Sequence, residues 1–183
     1  MTKLSLLEYT LLSLLRQQPR SGYDLRKIFA ATPMRTFSDS PGAIYPALHR
    51  LERRGFVRGK VEERGGLRRR RLLRPTATGL TALRKWQTKP IVRDDLVSHV
   101  DALMVRFAFM DESLGPRSSV RFLRSFAREL AAYIPELRPH LVPGMPLSGR
   151  LAIESGIQGY ETLLRWTKTS LAAYHAKSQG ENS

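Results

Sequence analysis

The chain has 183 residues, 42% of them hydrophobic, which is enough to bury a core and excludes a largely disordered protein. It contains no cysteine, which excludes disulfides and thiolate metal sites. The formal net charge of +15 is unevenly distributed. Residues 1–91 carry 20 Lys and Arg against 6 Asp and Glu, a net charge of +14, whereas residues 92–183 carry 11 against 10, a net charge of +1. A basic half joined to a neutral half is typical of a chain that binds a polyanion at one end.

The first predicted element is a helix over residues 5–17. Ser5 is followed three residues later by Glu8, the pattern of a capping box, and leucines then recur at helical spacing until Pro19. Lys3 and the leucines after it also resemble a secretory signal, but Glu8 interrupts the apolar stretch and no small-residue cleavage site follows. The stretch is also too short to span a bilayer. We therefore expect a core helix in a cytoplasmic protein without a membrane segment.

Two further helices are predicted before the glycine at position 55. The second starts at Ser21, and the third opens with Ser40-Pro41, a cap residue followed by proline at the first helical position. Gly55 is a natural end for the third helix. Because Pro46 lies inside this helix and removes a hydrogen bond, we expect a kink or a late start. On a helical wheel the apolar face holds Ile44, Ala47, Leu48 and Leu51, the opposite face holds Gly42, Pro46, His49 and Arg53, and Tyr45 and Arg50 lie on the flanks.

A β-hairpin is predicted next, with strands at residues 56–63 and 67–74. Gly65 and Gly66 lie between them, and glycines that adopt positive φ are a hairpin signal. Four arginines, residues 68–71, follow the glycines; at most two of them share a face, because extended residues alternate sides. Thr76 then caps a helix that runs towards Trp86, and Lys89-Pro90 marks the end of this region.

The rest of the chain is predicted to be helical. Apolar residues recur at helical spacing over residues 96–107 and 120–134, and prolines from Pro135 to Pro146 enforce an irregular connection. The last helix carries apolar residues at alternating spacings of four and three, a seam suited to helix–helix packing. This seam can close within one chain or between two. The candidate dimerisation residues on it are Ile153, Ile157, Tyr160, Leu164 and Leu171.

Three helices, a glycine-tipped hairpin and a fourth helix follow the order of a winged helix-turn-helix. We predict a mainly α chain: a winged helix-turn-helix DNA-binding domain with a two-stranded β wing at residues 1–90, a C-terminal antiparallel helical dimerisation domain at 91–176 and a flexible tail at 177–183. The third helix fits the major groove of double-stranded DNA, and wing arginines suit a narrow minor groove. Helix N–H groups and nearby hydroxyls suit phosphates. The candidate DNA-contacting residues are Arg35, Ser38, Ser40, Pro41, Gly42, Tyr45, His49, Arg50, Arg53, Lys60, Arg68, Arg69 and Arg70.

At these residues the chain resembles a known family. Residues 40–48, SPGAIYPAL, and residues 51–57, LERRGFV, are similar to the signature of PadR-like transcriptional regulators. Further similar segments are residues 21–25, SGYDL, the Gly65-Gly66 wing with its arginines, and residues 76–79, TATG. The tail resembles the C-terminal domain of the subfamily with the longer helical tail, at residues 92–96, VRDDL, at Gly156-Ile157 and at Trp166. The resemblance covers almost the whole chain.

The resemblance implies a homodimeric regulator, usually a repressor, that binds an inverted-repeat operator. It places the third helix in the major groove and the wing at the backbone or minor groove, and it implies a small aromatic or hydrophobic effector. The chain departs from the family where Leu72 and Leu73 replace aromatic residues of the second wing strand and where Pro75 precedes Thr76. Pro46 is common at the matching family position.

Several features have alternative explanations. The third helix can present an ordinary solvated face, and the hairpin arginines can protect an edge strand. A GC-rich genome can favour arginine, although that bias would act on both halves. Tyr45 can pack against Tyr23. The aromatic residues Trp86, Phe107, Tyr160 and Trp166 can line an effector pocket or belong to the core.

Two other classes of function fit less well. A sequence-independent RNA-binding protein would need an exposed aromatic platform, but aromatic residues make up 8% of the chain and lie mainly on apolar stripes. An enzyme would need a motif such as a P-loop, a dinucleotide-binding glycine pattern or a nucleophile elbow, and the sequence has none of these. Asp94-Asp95 fits the dipole of a helix start. The histidines lack metal-like spacing, so we expect neither a metal site nor a cofactor.

Overall fold

The computed structural model describes residues 3–32, 41–63 and 69–180. Its contacts divide the chain into two compact units, Met1–Lys89 and Pro90–Ser183. The described residues are mostly helical and contain a two-stranded antiparallel sheet. This confirms the predicted fold class, a winged-helix region with a two-stranded wing and a helical carboxy-terminal region.

The first unit contains four α-helices and two strands within its described residues. These are α1 (Leu6–Gln17), α2 (Gly22–Ala31), α3 (Ile44–Arg53), β1 (Val57–Glu63), β2 (Arg69–Pro75) and α4 (Ala77–Gln87), with a 3-10 turn at Pro41–Ala43 before α3. Its core joins leucines of α1 to the inner faces of α2, α3 and α4. The most deeply buried of these side chains are Leu11, Leu12, Leu15, Leu25, Ile44, Leu51 and Leu83.

Both predicted helix starts are confirmed. The Ser5 hydroxyl accepts a hydrogen bond from the Glu8 amide at 3.2 Å, and the Glu8 carboxylate accepts one from the Ser5 amide at 2.9 Å. Ser21 and Asp24 form the same reciprocal pair at the start of α2. Each capping box satisfies amides that have no acceptor inside the helix, so both helices begin at fixed residues.

Helix α3 begins late, as the proline inside it predicts. A 3-10 turn occupies Pro41–Ala43 and the α-helix starts at Ile44, so Pro46 lies in the first turn, where its missing N–H costs no intrahelical hydrogen bond. The helix ends in a Schellman motif: the Gly55 amide bonds the Glu52 carbonyl and the Phe56 amide bonds the Leu51 carbonyl, both at 2.9 Å. Gly55 has a φ of 72°, a conformation that favours glycine.

The two strands form the predicted hairpin, displaced by one or two residues from the predicted bounds. In their antiparallel register Gly59 faces Leu73 and Lys60 faces Leu72. Arg20, in the connection between α1 and α2, forms an additional bridge with Leu73, at 2.9 and 3.3 Å. Leu73, which replaces a family aromatic, is buried. The wing is therefore attached to the helices through main-chain hydrogen bonds.

The second unit consists of helices within its described residues. They are α5 (Arg93–Ser98), α6 (Val100–Ala108), α7 (Met110–Leu114), α8 (Pro116–Leu137) and α9 (Leu147–Gly180), with a 3-10 turn at Arg138–His140. Helices α8 and α9 run antiparallel. Tyr133, near the end of α8, contacts Tyr160 in the first half of α9. Asp111 accepts hydrogen bonds from both Ser119, near the start of α8, and Tyr174, near the end of α9. The core of this unit contains Leu96, Leu103, Phe122, Phe126, Leu130, Ile134 and Ile157.

Two boundaries differ from the predictions. Pro135 does not end its helix: it lies in the last turn of α8, which continues to Leu137, because a proline near a helix end removes only one of the final hydrogen bonds. Helix α9 continues to Gly180, so the first four residues of the tail that we expected to fray, 177–180, are helical. Their polar side chains are exposed, and Ser178 bonds the His175 carbonyl at 2.8 Å.

The seam on α9 packs mainly within the chain. Ile157 is buried in the core of the second unit, and Ile153, Tyr160 and Leu164 are partly buried against it. Leu171 is half-buried further along the helix. Within the chain, α8 and its neighbours cover most of the seam.

Within the described ranges, we find no helix with the length and apolarity needed to cross a lipid bilayer.

Candidate nucleic-acid interface

Helix α3 has two chemically distinct faces. Ile44, Ala47 and Leu51 are at most 1% exposed, and Leu48 is 6% exposed. The outward residues are Gly42, in the turn before the helix, and Tyr45, Pro46, His49, Arg50 and Arg53, all of them exposed. The helical wheel predicts this division. The helix is therefore seated on the core by one side and offers donors and acceptors on the other.

Several of the predicted contact residues lie outside the described part of the chain. Arg35, Ser38, Ser40 and Arg68 fall in the two gaps, and the side chains of Pro41 and Arg69 are also outside the description. The remaining candidates, Gly42, Tyr45, His49, Arg50, Arg53, Lys60 and Arg70, belong to the first unit and are all exposed.

Tyr45 lies over the start of α2. A Cβ atom placed on Gly22 would be 2.7 Å from the Tyr45 Cε1 atom, so the ring contacts the backbone of α2 where glycine leaves room for it. Tyr23, the alternative packing partner, is 53% exposed and has the charged groups of Arg26 and Lys27 over its ring at 5.6 and 5.8 Å. Tyr45 itself remains 51% exposed, so its hydroxyl is accessible.

A buried carboxylate holds one flank of α3. Glu8 of α1 is 3% exposed, and its Oε1 atom accepts a hydrogen bond from Arg50 Nε at 2.9 Å. Arg54, just after α3, lies 3.9 Å from the other oxygen of Glu8. Arg50 keeps 46% of its side chain exposed. It therefore fixes α3 against α1 and still presents part of its guanidinium group to solvent.

The wing arginines pair with acids on opposite sides of the sheet. Arg70 forms an ion pair with Asp24 of α2, and Arg71 forms one with Glu52 of α3. The alternation of extended residues predicts this separation. Glu52 also accepts a hydrogen bond from the Gly59 amide at 3.2 Å. The wing is thus attached to both helices of the helix-turn-helix by side chains as well as by the Arg20 bridge.

The electrostatics of Asp24 follow from these contacts. Burial raises the pKa of Asp24, but hydrogen bonds from the Ser21 amide and hydroxyl and the charge of Arg70 outweigh burial and lower the pKa below its ordinary value. The Ser21 hydroxyl donates to the carboxylate at 2.8 Å. Asp24 is therefore held ionised, as a partner of Arg70 requires.

These acidic partners were not predicted from the sequence. Glu8 was assigned only to a capping box, and neither Asp24 nor Glu52 was matched to an arginine. The rarity of acids was a signal that they pair with arginines, since residues 1–91 contain only six acids against 20 Lys and Arg. Among the described residues, the candidates Arg53, His49 and Lys60 have no carboxylate within 4 Å, so no acid of the described part of the chain competes with a nucleic acid for these side chains.

A cavity of about 440 Å³ lies between α2 and the wing. Three cationic side chains and one carboxylate border it, together with apolar groups. Its lining consists of Gln18, Pro19, Arg20, Asp24, Lys27, Ile28, Arg70 and Leu72. The cavity can accept a small molecule that combines an anionic group with an apolar body.

Each of the four aromatic residues considered for an effector pocket contacts another aromatic ring within its own unit. Trp86 stacks on Tyr9 in the first unit, with ring centroids 4.4 Å apart. Phe107 and Trp166 pack edge to face at 5.3 Å in the second unit, and Tyr160 contacts Tyr133. These contacts favour the core interpretation. In the described part of the chain no group of three or more His, Asp or Glu side chains is placed to hold a metal ion.

Several solved structures are similar to this chain. Bacillus subtilis PadR in complex with operator DNA has 22% identity and a TM-score of 0.42, over 92% of this chain and 98% of that chain. The PadR-like transcriptional regulator BC1756 from Bacillus cereus has 21% identity and a TM-score of 0.41, over 91% and 94%. Bacillus subtilis PadR in complex with p-coumaric acid has 21% identity and a TM-score of 0.40, over 93% and 99%. Comparison with curated protein sequences gives no significant match.

A family model gives the assignment. It covers residues 11–85, from α1 into α4, and so includes both faces of α3, the wing and the acids that hold them. The model describes the transcriptional regulator PadR-like family, whose members are regulators and not enzymes. Residues 11–85 of this chain therefore match the PadR-like family of transcriptional regulators.

Proposed function

We propose that this chain is a homodimeric repressor that binds an inverted-repeat operator in the cytoplasm. The observation that carries the proposal is the geometry of α3, which is buried along one side and presents His49 and Arg53 on the other. An α-helix fills the major groove of B-DNA, where each base pair offers a different set of donors and acceptors. Arg53 reads base edges, and Tyr45 and Arg50 contact phosphates beside it.

The wing supplies contacts to the backbone or the minor groove. Lys60 and Arg70 are exposed on β1 and β2, and a cation near a narrow minor groove is favoured by the negative potential there. The other proposed contacts, to which the structure assigns no side-chain position, are Arg35, Ser38, Ser40, Pro41, Arg68 and Arg69. Gly42 allows close approach of the main chain at the start of α3.

Selection of duplexes from a random pool, followed by footprinting, tests the proposal. We expect two inverted half-sites whose centres lie about one helical turn, roughly 10 bp, apart, since that spacing matches a twofold dimer. A single-stranded RNA pool serves as the competitor. Equal binding of all duplexes at moderate salt, or preference for RNA, would refute sequence-specific regulation.

The dimer needs a surface that the chain does not already cover. Most of the predicted dimerisation residues pack against α8, but Leu147 and Leu151 near the start of α9 are 60% and 52% exposed and lie on one face, four residues apart. We therefore assign the main contact to this end of α9, with the outer edges of Ile153, Ile157, Tyr160 and Leu164 beside it. Leu171 lies about 30 Å further along the helix and is outside this contact.

Light scattering after gel filtration tests the dimer surface. Leu147→Glu combined with Leu151→Glu should yield a monomer, because two charges would be buried against apolar partners. Thr169→Glu combined with Ala173→Glu places the same charge at exposed positions near the other end of α9 and should leave the dimer intact. Identical masses for the two variants would exclude this surface.

A small effector is the second part of the proposal, and the cavity beside the wing supports it. Its volume is typical of ligand sites, which span about 300–1,000 Å³. Because Arg70 lines the cavity and also pairs with Asp24, an aromatic carboxylate bound there would compete for Arg70 and loosen the wing.

Thermal-shift titration with a panel of aromatic carboxylates, p-coumaric acid among them, tests the effector site. A ligand of this cavity should raise the melting temperature of the wild type and of Arg71→Gln, whose arginine lies on the other side of the sheet. It should not raise that of Arg70→Gln. A shift that all three proteins share would place the site elsewhere, and no shift across the panel would count against an effector of this class.

A further inference from the structure

Helix α8 carries a row of four arginines on one face. Arg117, Arg121, Arg124 and Arg128 follow one another at spacings of four, three and four residues, which place them within a narrow arc of the helix. All four are exposed. We call this set the arginine row. The residues on the opposite side of α8, Phe122 and Phe126 among them, are buried in the core of the second unit.

Within the described residues, one of the four arginines of the row has an acidic partner, and the other three have none. No acidic residue lies three or four positions away from any member, so the helix contains neighbouring like charges without the opposite charge that stabilises an exposed helix. Within the described residues, only Arg128 has a carboxylate within 4 Å, that of Glu129 at 3.2 Å, and this arginine is still 74% exposed. Arg121 donates a hydrogen bond to the Ser118 hydroxyl at 3.3 Å. Such a row is more strongly cationic than an ordinary solvated face, which mixes both signs.

The near-zero net charge of the second half conceals this feature. Several of the acids that balance the arithmetic lie away from the row or are already paired: Asp94 and Asp111 belong to α5 and α7, and Glu136 pairs with Arg93. On α8, Glu129 is the acid that contacts the row, at Arg128.

We propose that the arginine row is a second DNA-binding site, which contacts the phosphate backbone of duplex DNA without reading its sequence. This inference rests on the proposed function, in which the chain binds duplex DNA. The row extends over roughly 16 Å of helix, because each residue rises about 1.5 Å. A duplex carries about one negative charge per 1.7 Å of its axis, and planar guanidinium groups bind phosphate oxygens in pairs.

An acidic protein partner fits the row less well. Protein interfaces depend on a desolvated apolar or aromatic centre. Among the described residues, none of the exposed large hydrophobic side chains lies on α8; the residues beside the row are small, such as Ser125, Ala131 and Ala132. A row of charge without an apolar anchor matches a polyanion backbone, where most of the affinity is electrostatic.

The salt dependence of DNA binding by the full chain tests the site. The test variant replaces Arg117, Arg121, Arg124 and Arg128 with Gln. The control variant removes the same charge from exposed positions elsewhere in the same unit, by replacing Arg138, Arg165, Lys168 and Lys177 with Gln. Binding of a fluorescent duplex of random sequence and of a selected operator duplex is followed by anisotropy over a range of salt concentrations. Circular dichroism and light scattering are used to check that both variants remain folded and keep the assembly state of the wild type.

The test variant should bind both duplexes more weakly and by the same factor, because phosphate contacts carry no sequence information. The slope of log affinity against log salt should fall by about 0.9 for each lost phosphate contact, so by up to about 4, whereas the control should keep the wild-type slope. Equal slopes for the two variants would overturn the second site while leaving operator recognition in place. A wild-type chain that binds duplexes without sequence preference would instead refute the proposed function. In that case the second site would still be supported if the test variant lost the binding and the control variant kept it.

Discussion

Arg50 on α3 donates a hydrogen bond from its Nε atom to the buried carboxylate of Glu8 on α1, at 2.9 Å. The outward helix of the candidate interface is therefore oriented by an ion pair between a half-exposed cation and an acid that is 3% exposed. The Glu8 carboxylate therefore has two functions: it holds Arg50, and it accepts the Ser5 amide and so closes the capping box of α1.

We expect Arg50→Ala to destabilise the fold, because the buried Glu8 side chain would lose its main partner. A buried group left without its hydrogen bond costs about 1–3 kcal/mol, which urea unfolding followed by circular dichroism would measure. Glu8→Gln, which keeps an acceptor at this place without the charge, should lose less. An Arg50→Ala protein as stable as the wild type would show that Arg54 alone holds the carboxylate.

Arg53→Ala should have the opposite profile. Its side chain is exposed and has no carboxylate within 4 Å among the described residues, so its removal should leave the melting temperature nearly unchanged. If Arg53 contacts base edges, operator binding should weaken by about 1–3 kcal/mol and discrimination between operator and random duplex should fall. Anisotropy titration with both duplexes measures the two effects, and a uniform loss on both duplexes would reassign Arg53 to a phosphate.

Gly55→Ala should destabilise the first unit by about 1–2 kcal/mol. A Cβ at this position would meet no atom within 4 Å, so the cost arises from the φ of 72°, which L side chains rarely adopt. Gly156→Ala is the matched control: it also has open space, but it lies inside α9 and should stabilise by about 0.5–1 kcal/mol. Both values come from denaturant unfolding, and two changes of the same sign would contradict the backbone explanation.

Gly79→Ala should disrupt the junction of the wing and α4. A Cβ at Gly79 would lie 2.1 Å from the Phe56 carbonyl oxygen, which already accepts the Thr76 amide at 3.0 Å. Because the two atoms nearest to this Cβ belong to the main chain of Phe56, the clash can be relieved only by a shift of the backbone. We expect the free energy of unfolding to fall by about 3 kcal/mol or more. Thr78→Ala, one residue earlier at an exposed position, should be nearly neutral. Comparable melting temperatures for the two variants would refute the close packing.

The stability contributed by Asp24 should depend on pH. Its folded-state pKa lies below its ordinary value near 3.8, so the contribution is fully present above that value and is lost as the pH falls through the lower folded value. Asp24→Asn should therefore be less stable than the wild type near neutral pH, by about 1 kcal/mol or less because solvent screens the pair. The difference should shrink in acid. Urea unfolding at several pH values measures it, and a constant difference would exclude the charge as the cause.

The local elements were predictable from local chemistry. Capping residues set the starts of α1 and α2, and Pro46 required the late start of α3, because each acts within one turn of helix. The glycine-tipped hairpin was also predictable from turn residues and alternation. Pro135 was misjudged because a proline is tolerated in a final turn that loses only one bond.

The partners of the charged side chains were not predictable. The pairs of Arg50 with Glu8 and of Arg70 with Asp24 join residues more than forty positions apart, and helical or strand periodicity contains no information about such distances. The arginine row was missed for a different reason. Net charge was summed over half the chain, and a sum discards the direction in which each side chain points.

Position 22 shows how a residue without a side chain can influence recognition. The ring of Tyr45 occupies the space that any Cβ at Gly22 would need. Alanine there would displace this ring, which belongs to one of the side chains proposed to contact DNA. Laboratory evolution towards an altered operator should therefore recover changes at this remote glycine as well as among the groups that meet the bases.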